Sequence, residues 1–217
     1  MHTVHFTNYK MRILITAGGT REYIDPVRFI SNASSGRMGF ALARAAVAAG
    51  HKVTLISAPT SQREPNGVKL VRIETAAQMF EAVKKHFKQC DCLIMAAAVA
   101  DYTPAQPAKT KMQKINKPLT IKLKPTSDIL KWAEKNKSRN QIIVGFALEQ
   151  KNLRKNAEKK LKEKNLDMII ANTPAAVDAE KSTVQIKTPN DNWITIENSS
   201  KITIAKRIIH LAENLFV

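Results

Sequence analysis

The sequence predicts an α/β fold of the Rossmann-like, doubly wound class, built on a mostly parallel sheet. Two observations carry this expectation. Short apolar runs alternate along the chain with helix-length amphipathic segments, the pattern of repeated βαβ units with right-handed crossovers. The apolar runs are also nearly continuous, which suits strands covered on both faces better than strands with one wet side. At 217 residues the chain is long enough for one large domain with a substantial core.

Strands are expected at residues 12–16 (RILIT), 52–57 (KVTLIS), 91–97 (DCLIMAA), 141–147 (QIIVGFA) and 167–171 (DMIIA). Helices are expected between them at 36–49, 76–87, 127–136 and 153–164. Toward the C-terminus the pattern changes. Residues 182–188 (STVQIKT) and 193–197 (WITIE) alternate polar and apolar around Pro-Asn-Asp-Asn, a hairpin signal. A last helix follows, with Ser199 or Ser200 as its N-cap and Ile204, Ile208, Leu211 and Leu215 along one face. Residues 101–125 fit neither pattern. They hold four prolines and six lysines, and only 119–123 (LTIKL) alternates like a strand. A loop of this length is usually functional or disordered, and it leaves the C-terminal end of the third strand, so it is expected to be a mobile flap over a site. The division expected is an N-terminal extension, residues 1–10, and a single domain, 11–217.

Composition narrows the function. Apolar residues make up 44% and charged residues 24%, ordinary for a globular protein. No apolar run reaches the roughly 18 residues of a membrane span, and the polar first ten residues do not resemble a secretory signal. Cys90 and Cys92 form one C-x-C without a second ligand pair. They read as structural thiols in a reducing cytoplasm, with a metal pair as the alternative. Lys and Arg exceed Asp and Glu by 35 to 18, a net charge of +17, which attracts polyanions. The excess is mostly Lys without interleaved aromatics, so a nucleic-acid site has the charge alone as its support.

Three segments carry candidate chemistry. Thr16-Ala17-Gly18-Gly19-Thr20 leaves the first strand through a Gly-Gly turn. Such a turn is either a tight strand exit or a place where backbone N–H groups approach a phosphate. Ser31-Asn32-Ala33-Ser34-Ser35-Gly36 precedes a helix. Its small polar residues read as an N-cap or as an anion site at the positive helix end, and capping accounts for only one Ser. Met95-Ala96-Ala97-Ala98-Val99-Ala100-Asp101 ends the third strand. Its small residues leave room for a flat ring, and Asp101 is placed to bind a hydroxyl or a metal, or to cap a turn.

These segments resemble the phosphopantothenate–cysteine ligase family. The likeness lies in ITAGGTREYIDPVRFISNASSGRMG, AAAVADYTP, Lys111-Met112-x-Lys114, PTSDIL, GFALE and the Asn172 turn, in the family's order from about residue 11 to the C-terminus. It implies the ligase alone, without the flavin-dependent decarboxylase often fused before it, and hence no flavin. It also implies a cytoplasmic homodimer that joins 4′-phosphopantothenate to L-cysteine, with CTP and Mg2+, through an acyl-cytidylate. Catalytic roles fall on Lys111, in the flap, and Asn32. Nucleotide contacts fall on Ser34, Met95, Ala96, Ala97, Asp101, Lys111, Ser127, Asp128, Ile129, Leu130, Phe146, Lys160 and Lys164. Gly18, Gly19, Ser35 and Gly36 are the expected anion-binding backbone, and no dedicated protein metal site is expected. The family's K-I-K-K departs here at Gln113, and a proline is replaced by Ser127. The C-terminal hairpin is the expected dimer edge. An NAD(P)-dependent oxidoreductase is the rival enzyme reading. It lacks G-x-G-x-x-G, an acidic end to the second strand, which closes Ser57-Ala58-Pro59, and any Tyr-x-x-x-Lys.

Overall fold

The computed structural model describes residues 10–177 and 179–216, so the expected extension lies outside the described residues except for Lys10. An eight-stranded sheet forms the centre. Its strands are β1 (Arg12–Ala17), β4 (Lys52–Ser57), β5 (Val68–Arg72), β6 (Cys92–Met95), β9 (Ile142–Leu148), β10 (Met168–Asn172), β11 (Lys181–Lys187) and β12 (Ile194–Ser200). Two small hairpins stand apart from it: β2 (Arg21–Tyr23) with β3 (Phe29–Ser31), and β7 (Tyr102–Pro104) with β8 (Leu123–Pro125). The helices are α1 (Arg37–Ala48), α2 (Ala76–Phe87), α3 (Ile129–Asn136), α4 (Leu153–Glu163) and α5 (Lys201–Phe216).

Strand order is β12-β11-β10-β9-β6-β1-β4-β5. The six strands from β10 to β5 are parallel, and β11 and β12 pair antiparallel at one edge. Helices cover both faces. Ile13, Ile15 and Ala17 point to the side of α1 and α5, among Phe40, Ile204 and Ile208. Leu14, between them, points to the side of α2, α3 and α4, among Met79, Phe87 and Leu161. Period-two alternation between two dry faces is why β1 reads as one unbroken apolar run. Phe87 is fully buried and meets Trp132 edge-on at 5.5 Å.

The expected architecture holds, with corrections at its margins. Strand β5 has no counterpart among the expected elements. It is a half-exposed edge strand carrying Lys69 and Arg72, and such edges are not apolar runs. The expected strand at 119–123 fails except at Leu123, because Leu119 is exposed with no face to cover it. Helix α1 is capped by Gly36, in the left-handed region at φ +75°, and not by a serine. Helix α3 begins after Asp128, whose Oδ1 accepts the Lys131 N–H at 2.9 Å. Ser200 does cap α5, accepting from the Thr203 N–H at 3.2 Å, but Leu215 is exposed, and the buried face runs Ile204, Ala205, Ile208, Ile209 and Ala212. Cys90 and Cys92 are buried, and the Cys90 thiol donates to the Phe87 carbonyl at 3.1 Å, a structural use.

Candidate active site

The chain builds β1, β4 and β5 outward in one direction, then returns to lay β6, β9 and β10 on the other side of β1. The order therefore reverses between β1 and β6. In open α/β sheets ligands bind at such a reversal, outside the carboxyl ends of the strands. Two of the three candidate segments, the Gly-Gly turn and residues 96–101, are these two loops.

Two buried threonines tie the loops together. Thr16 Oγ1 accepts the Ala97 N–H at 3.2 Å, and Thr20 Oγ1 accepts the Ala100 N–H at 3.0 Å. Backbone bonds Ala98 N–H to Gly18 carbonyl (2.9 Å) and Thr20 N–H to Ala98 carbonyl (3.3 Å) complete the tie. Both threonines are fully buried, so each hydroxyl meets a backbone group that would otherwise lack a partner. The sequence reading missed them, since each acts on a residue about 80 positions away.

Asn32 crosses from the remaining segment, residues 31–36, to the same place. Its Nδ2 donates to the carbonyls of Val99 (3.2 Å) and Ala98 (3.4 Å), which leaves its Oδ1 as the available acceptor. A Cβ at Gly19 would lie 2.6 Å from the Asn32 carbonyl oxygen, so no other residue fits there without movement. Gly36 lies against Gly18: a Cβ on Gly36 would stand 3.4 Å from the Gly18 nitrogen. Thus Gly18, Gly19, Asn32, Gly36 and Ala98 do converge, with the start of α1 beside them. Ser34 and Ser35 are half-buried, and the Ser35 carbonyl accepts from Thr60 Oγ1 at 2.6 Å.

A second group gathers on the β9 side. Lys160, on α4, donates from Nζ to the Phe146 carbonyl at 2.8 Å. Lys164, one turn on, pairs with Asp128 Oδ2. Burial lowers the Lys160 pKa, partly offset by the negative charges of Glu149, Asp101 and Asp128. Burial raises the Asp128 carboxyl, but its bonds with Lys164 and the Lys131 N–H outweigh this and hold it below the usual range. Each of the two lysines thus already has a protein partner, which the sequence did not reveal. Ile129, Leu130 and Met95 are buried. Ser127 is exposed.

The flap stands between β7 and β8. Its Lys111 side chain is exposed and has no hydrogen-bond or ion-pair partner among the described residues. The backbone next to it is fixed instead to the β2–β3 turn, around the buried Asp25. Asp101 is exposed at the sheet edge, and its backbone carbonyl accepts the Thr126 N–H at 2.9 Å. Among the described residues no group of three His, Cys, Asp or Glu side chains is assembled for a metal. A separate cavity of about 960 Å3 opens beyond α1, floored by Phe40 and Leu70 and rimmed by Arg72 and Glu74. None of the expected site residues lines it.

Similarity to known proteins agrees with this arrangement. The model of the DNA/pantothenate metabolism flavoprotein C-terminal domain family matches residues 9–215. A cysteine/cysteine sulfinic acid decarboxylase from an unknown prokaryotic organism is 43% identical over 203 residues, 91% of this chain and 56% of that protein. The coenzyme A biosynthesis bifunctional protein CoaBC of Borreliella burgdorferi is 48% identical over 164 residues, 74% of this chain and 42% of that one. The chain thus spans about half the length of the curated relatives it matches. Among solved structures, the C-terminal domain of a coenzyme A biosynthesis bifunctional protein CoaBC superposes with TM-score 0.82 at 39% identity, covering 94% of this chain and 95% of that one. The chain belongs to the DNA/pantothenate metabolism flavoprotein C-terminal domain family.

Proposed function

We propose that this chain is a phosphopantothenate–cysteine ligase of coenzyme A synthesis, using CTP through an acyl-cytidylate. The observation that carries the reading is the convergence of Gly18, Gly19, Asn32 and the N-terminus of α1 at the carboxyl ends of β1 and β6. Relatives named for coenzyme A biosynthesis support the substrate class.

The chemistry follows from the groups present. A carboxylate oxygen of 4′-phosphopantothenate attacks the α-phosphorus of CTP. A phosphorus–oxygen bond forms, and the bond to pyrophosphate breaks. The charge that grows on the phosphate oxygens calls for donors that are already in place. First-turn N–H groups of α1 and the Lys111 ammonium are such donors. The cysteine nitrogen then attacks the acyl carbon, an amide forms, the acyl–oxygen bond to CMP breaks, and the nitrogen loses a proton. Asn32 Oδ1 is an acceptor for that amine. Asp101 fits the single carboxylate that joins substrate phosphates in holding Mg2+, which would neutralise charge on the triphosphate.

A homodimer is part of the proposal. Exposed apolar side chains gather on the two hairpins, with Val27, Phe29, Ile30, Tyr102 and Leu123 each at least 38% exposed. We assign the interface to that face in preference to the C-terminal hairpin, since apolar patches mark contact surfaces. The deciding experiment is pyrophosphate release with phosphopantothenate and each of the four nucleoside triphosphates, with and without cysteine. Release confined to CTP, with a cysteine-dependent amide product, is expected. No release with any nucleotide by the folded protein refutes the ligase reading.

A further inference from the structure

We propose that Asp25, together with Arg28, is the positioning residue that docks the flap and so determines where Lys111 stands. The inference rests on the ligase reading, in which Lys111 is the working group of the flap.

The Asp25 side chain has no exposed area, and both of its oxygens are used. Oδ1 accepts the Val27 and Arg28 N–H groups, each at 2.8 Å, an Asx turn that closes the β2–β3 hairpin. Oδ2 is directed elsewhere. It accepts the Met112 N–H at 3.2 Å, across 87 residues of sequence, and lies 3.3 Å from Arg28 Nη1. Arg28 Nη2 in turn donates to the Met112 carbonyl at 3.0 Å. One ion pair therefore grips both polar groups of residue 112. A second anchor joins the Ala108 N–H to the Ile24 carbonyl at 2.8 Å.

The consequence is geometric. Lys111 is the immediate neighbour of Met112, about 3.8 Å away along the backbone. Its main chain is held while its side chain remains exposed. Strand β3 runs from the same turn directly to Asn32. The lysine and the asparagine are therefore both referenced to one hairpin, which keeps their separation from drifting with the loop. A turn alone would need only Oδ1, and asparagine would serve it. The use of Oδ2 on the flap is what requires a carboxylate. Burial pushes the Asp25 carboxyl up, but the three N–H groups and Arg28 outweigh it and hold it below the usual carboxylate range. It is charged at neutral pH.

The test compares Asp25→Asn, Arg28→Gln, Lys111→Gln and the Asp25→Asn/Lys111→Gln double variant in the full chain. Asparagine keeps an oxygen for the turn but presents an N–H to the Met112 N–H. Limited trypsin digestion after Lys109, Lys111 and Lys114 is expected to speed up about ten-fold or more in Asp25→Asn, with thermal midpoint near that of the parent. Pyrophosphate release should fall on the order of 10²-fold, as displacement of a reacting group by about 1 Å costs. The loss should lie in kcat more than in KM. Lys111→Gln should cost less in the Asp25→Asn background than alone, because an undocked lysine has little left to lose. If Asp25→Asn does not fold, Arg28→Gln decides, since it releases Met112 and leaves the turn intact. Parental digestion rates in the folded variants, or additive losses in the double variant, overturn the proposal. If Lys111→Gln by itself leaves pyrophosphate release unchanged, the catalytic reading of Lys111 fails, and the positioning role falls with it even where digestion shows the flap released.

Discussion

Replacing Asn32 by Asp is expected to separate the two half-reactions of the proposed ligase chemistry. The asparagine amide donates two hydrogen bonds, at 3.2 and 3.4 Å, to carbonyls of the loop after β6. Aspartate has no donor to offer and faces both carbonyls with like partial charge. Each bond contributes about 0.5–1.5 kcal/mol net, and Asn32 is exposed, so the lower half of that range applies. The pair then contributes roughly 1–2 kcal/mol, which corresponds to a fall in thermal midpoint of about 2–8 °C for a chain of this size. Loss of this tether frees the Asn32 loop from the strand exit where the acyl group is expected. A penalty of 1–2 kcal/mol in placing the acceptor lowers transfer to cysteine by about 5–30-fold. On the proposed reading activation is assigned to Lys111 and the start of α1, and should continue. Rapid quench with labelled CTP is therefore expected to show a pyrophosphate burst and accumulating acyl-cytidylate, followed by slow CMP release. A folded Asn32→Asp protein that forms product at the parental rate refutes the role given to Asn32. Equal loss of both half-reactions with a collapsed midpoint assigns it to bracing the loop.

Three further outcomes follow from the same geometry. Lys111→Gln should lower pyrophosphate release on the order of 10²–10³-fold, as removal of one charge-stabilising donor does, with circular dichroism and midpoint unchanged; near-normal release by the folded variant contradicts it. Gly19→Ala should destabilise by about 1–3 kcal/mol, the usual cost of overpacking, because its Cβ would stand 2.6 Å from the Asn32 carbonyl oxygen, and an unchanged denaturation curve would show that the loop yields freely. Burial, with some help from Asp91, pushes the Cys90 thiol up to about 12 and Cys92 well above its ordinary value, so Ellman's reagent at neutral pH should label neither in the native protein and both after denaturation; rapid native labelling would contradict their burial.

Much of this was legible in the sequence, and the rest was hidden for identifiable reasons. The five buried parallel strands were legible because two dry faces impose an unbroken apolar run, as in Ile13–Ile15. Strand β5 was not, because an edge strand is half wet and reads as ordinary polar chain. The three-residue hairpins are too short for any periodicity to register. Within the site, the glycines and Asn32 stood out locally. Thr16, Thr20 and Asp25 did not, since their work is done on backbone 80 to 87 residues away. For Asp25 a partial signal existed: Asp-Pro-Val-Arg is a turn-forming run, but nothing in it points to the flap. Lys160 and Lys164 were expected on one face of α4. Their existing bonds to Phe146 and Asp128 depend on how α4 meets β9 and α3.

The amino ends of the sheet and the carboxyl ends of β1 and β6 tie their backbone with different groups, and the contrast bears on where chemistry can occur. At the amino ends, Asp91 accepts the Arg12 N–H at 2.6 Å and holds the Arg12 guanidinium. Asp167 accepts the Ile143 N–H at 2.6 Å and holds Lys137. Gln141 bridges the carbonyls of Phe87 and Cys90. Each of these groups is occupied by backbone, and altering one would cost stability before anything else. At the carboxyl ends of β1 and β6 the backbone is tied instead by the uncharged hydroxyls of Thr16 and Thr20, while on the β9 side Lys160, Lys164 and Asp128 are engaged within the protein. The side chains of Asp101 and Lys111 are exposed and have no hydrogen-bond or ion-pair partner among the described residues. A charge that the fold does not consume is available to a ligand. A chain with a net charge of +17 nevertheless keeps an uncommitted carboxylate at that edge, which fits a substrate bound together with a metal ion better than a bare polyanion.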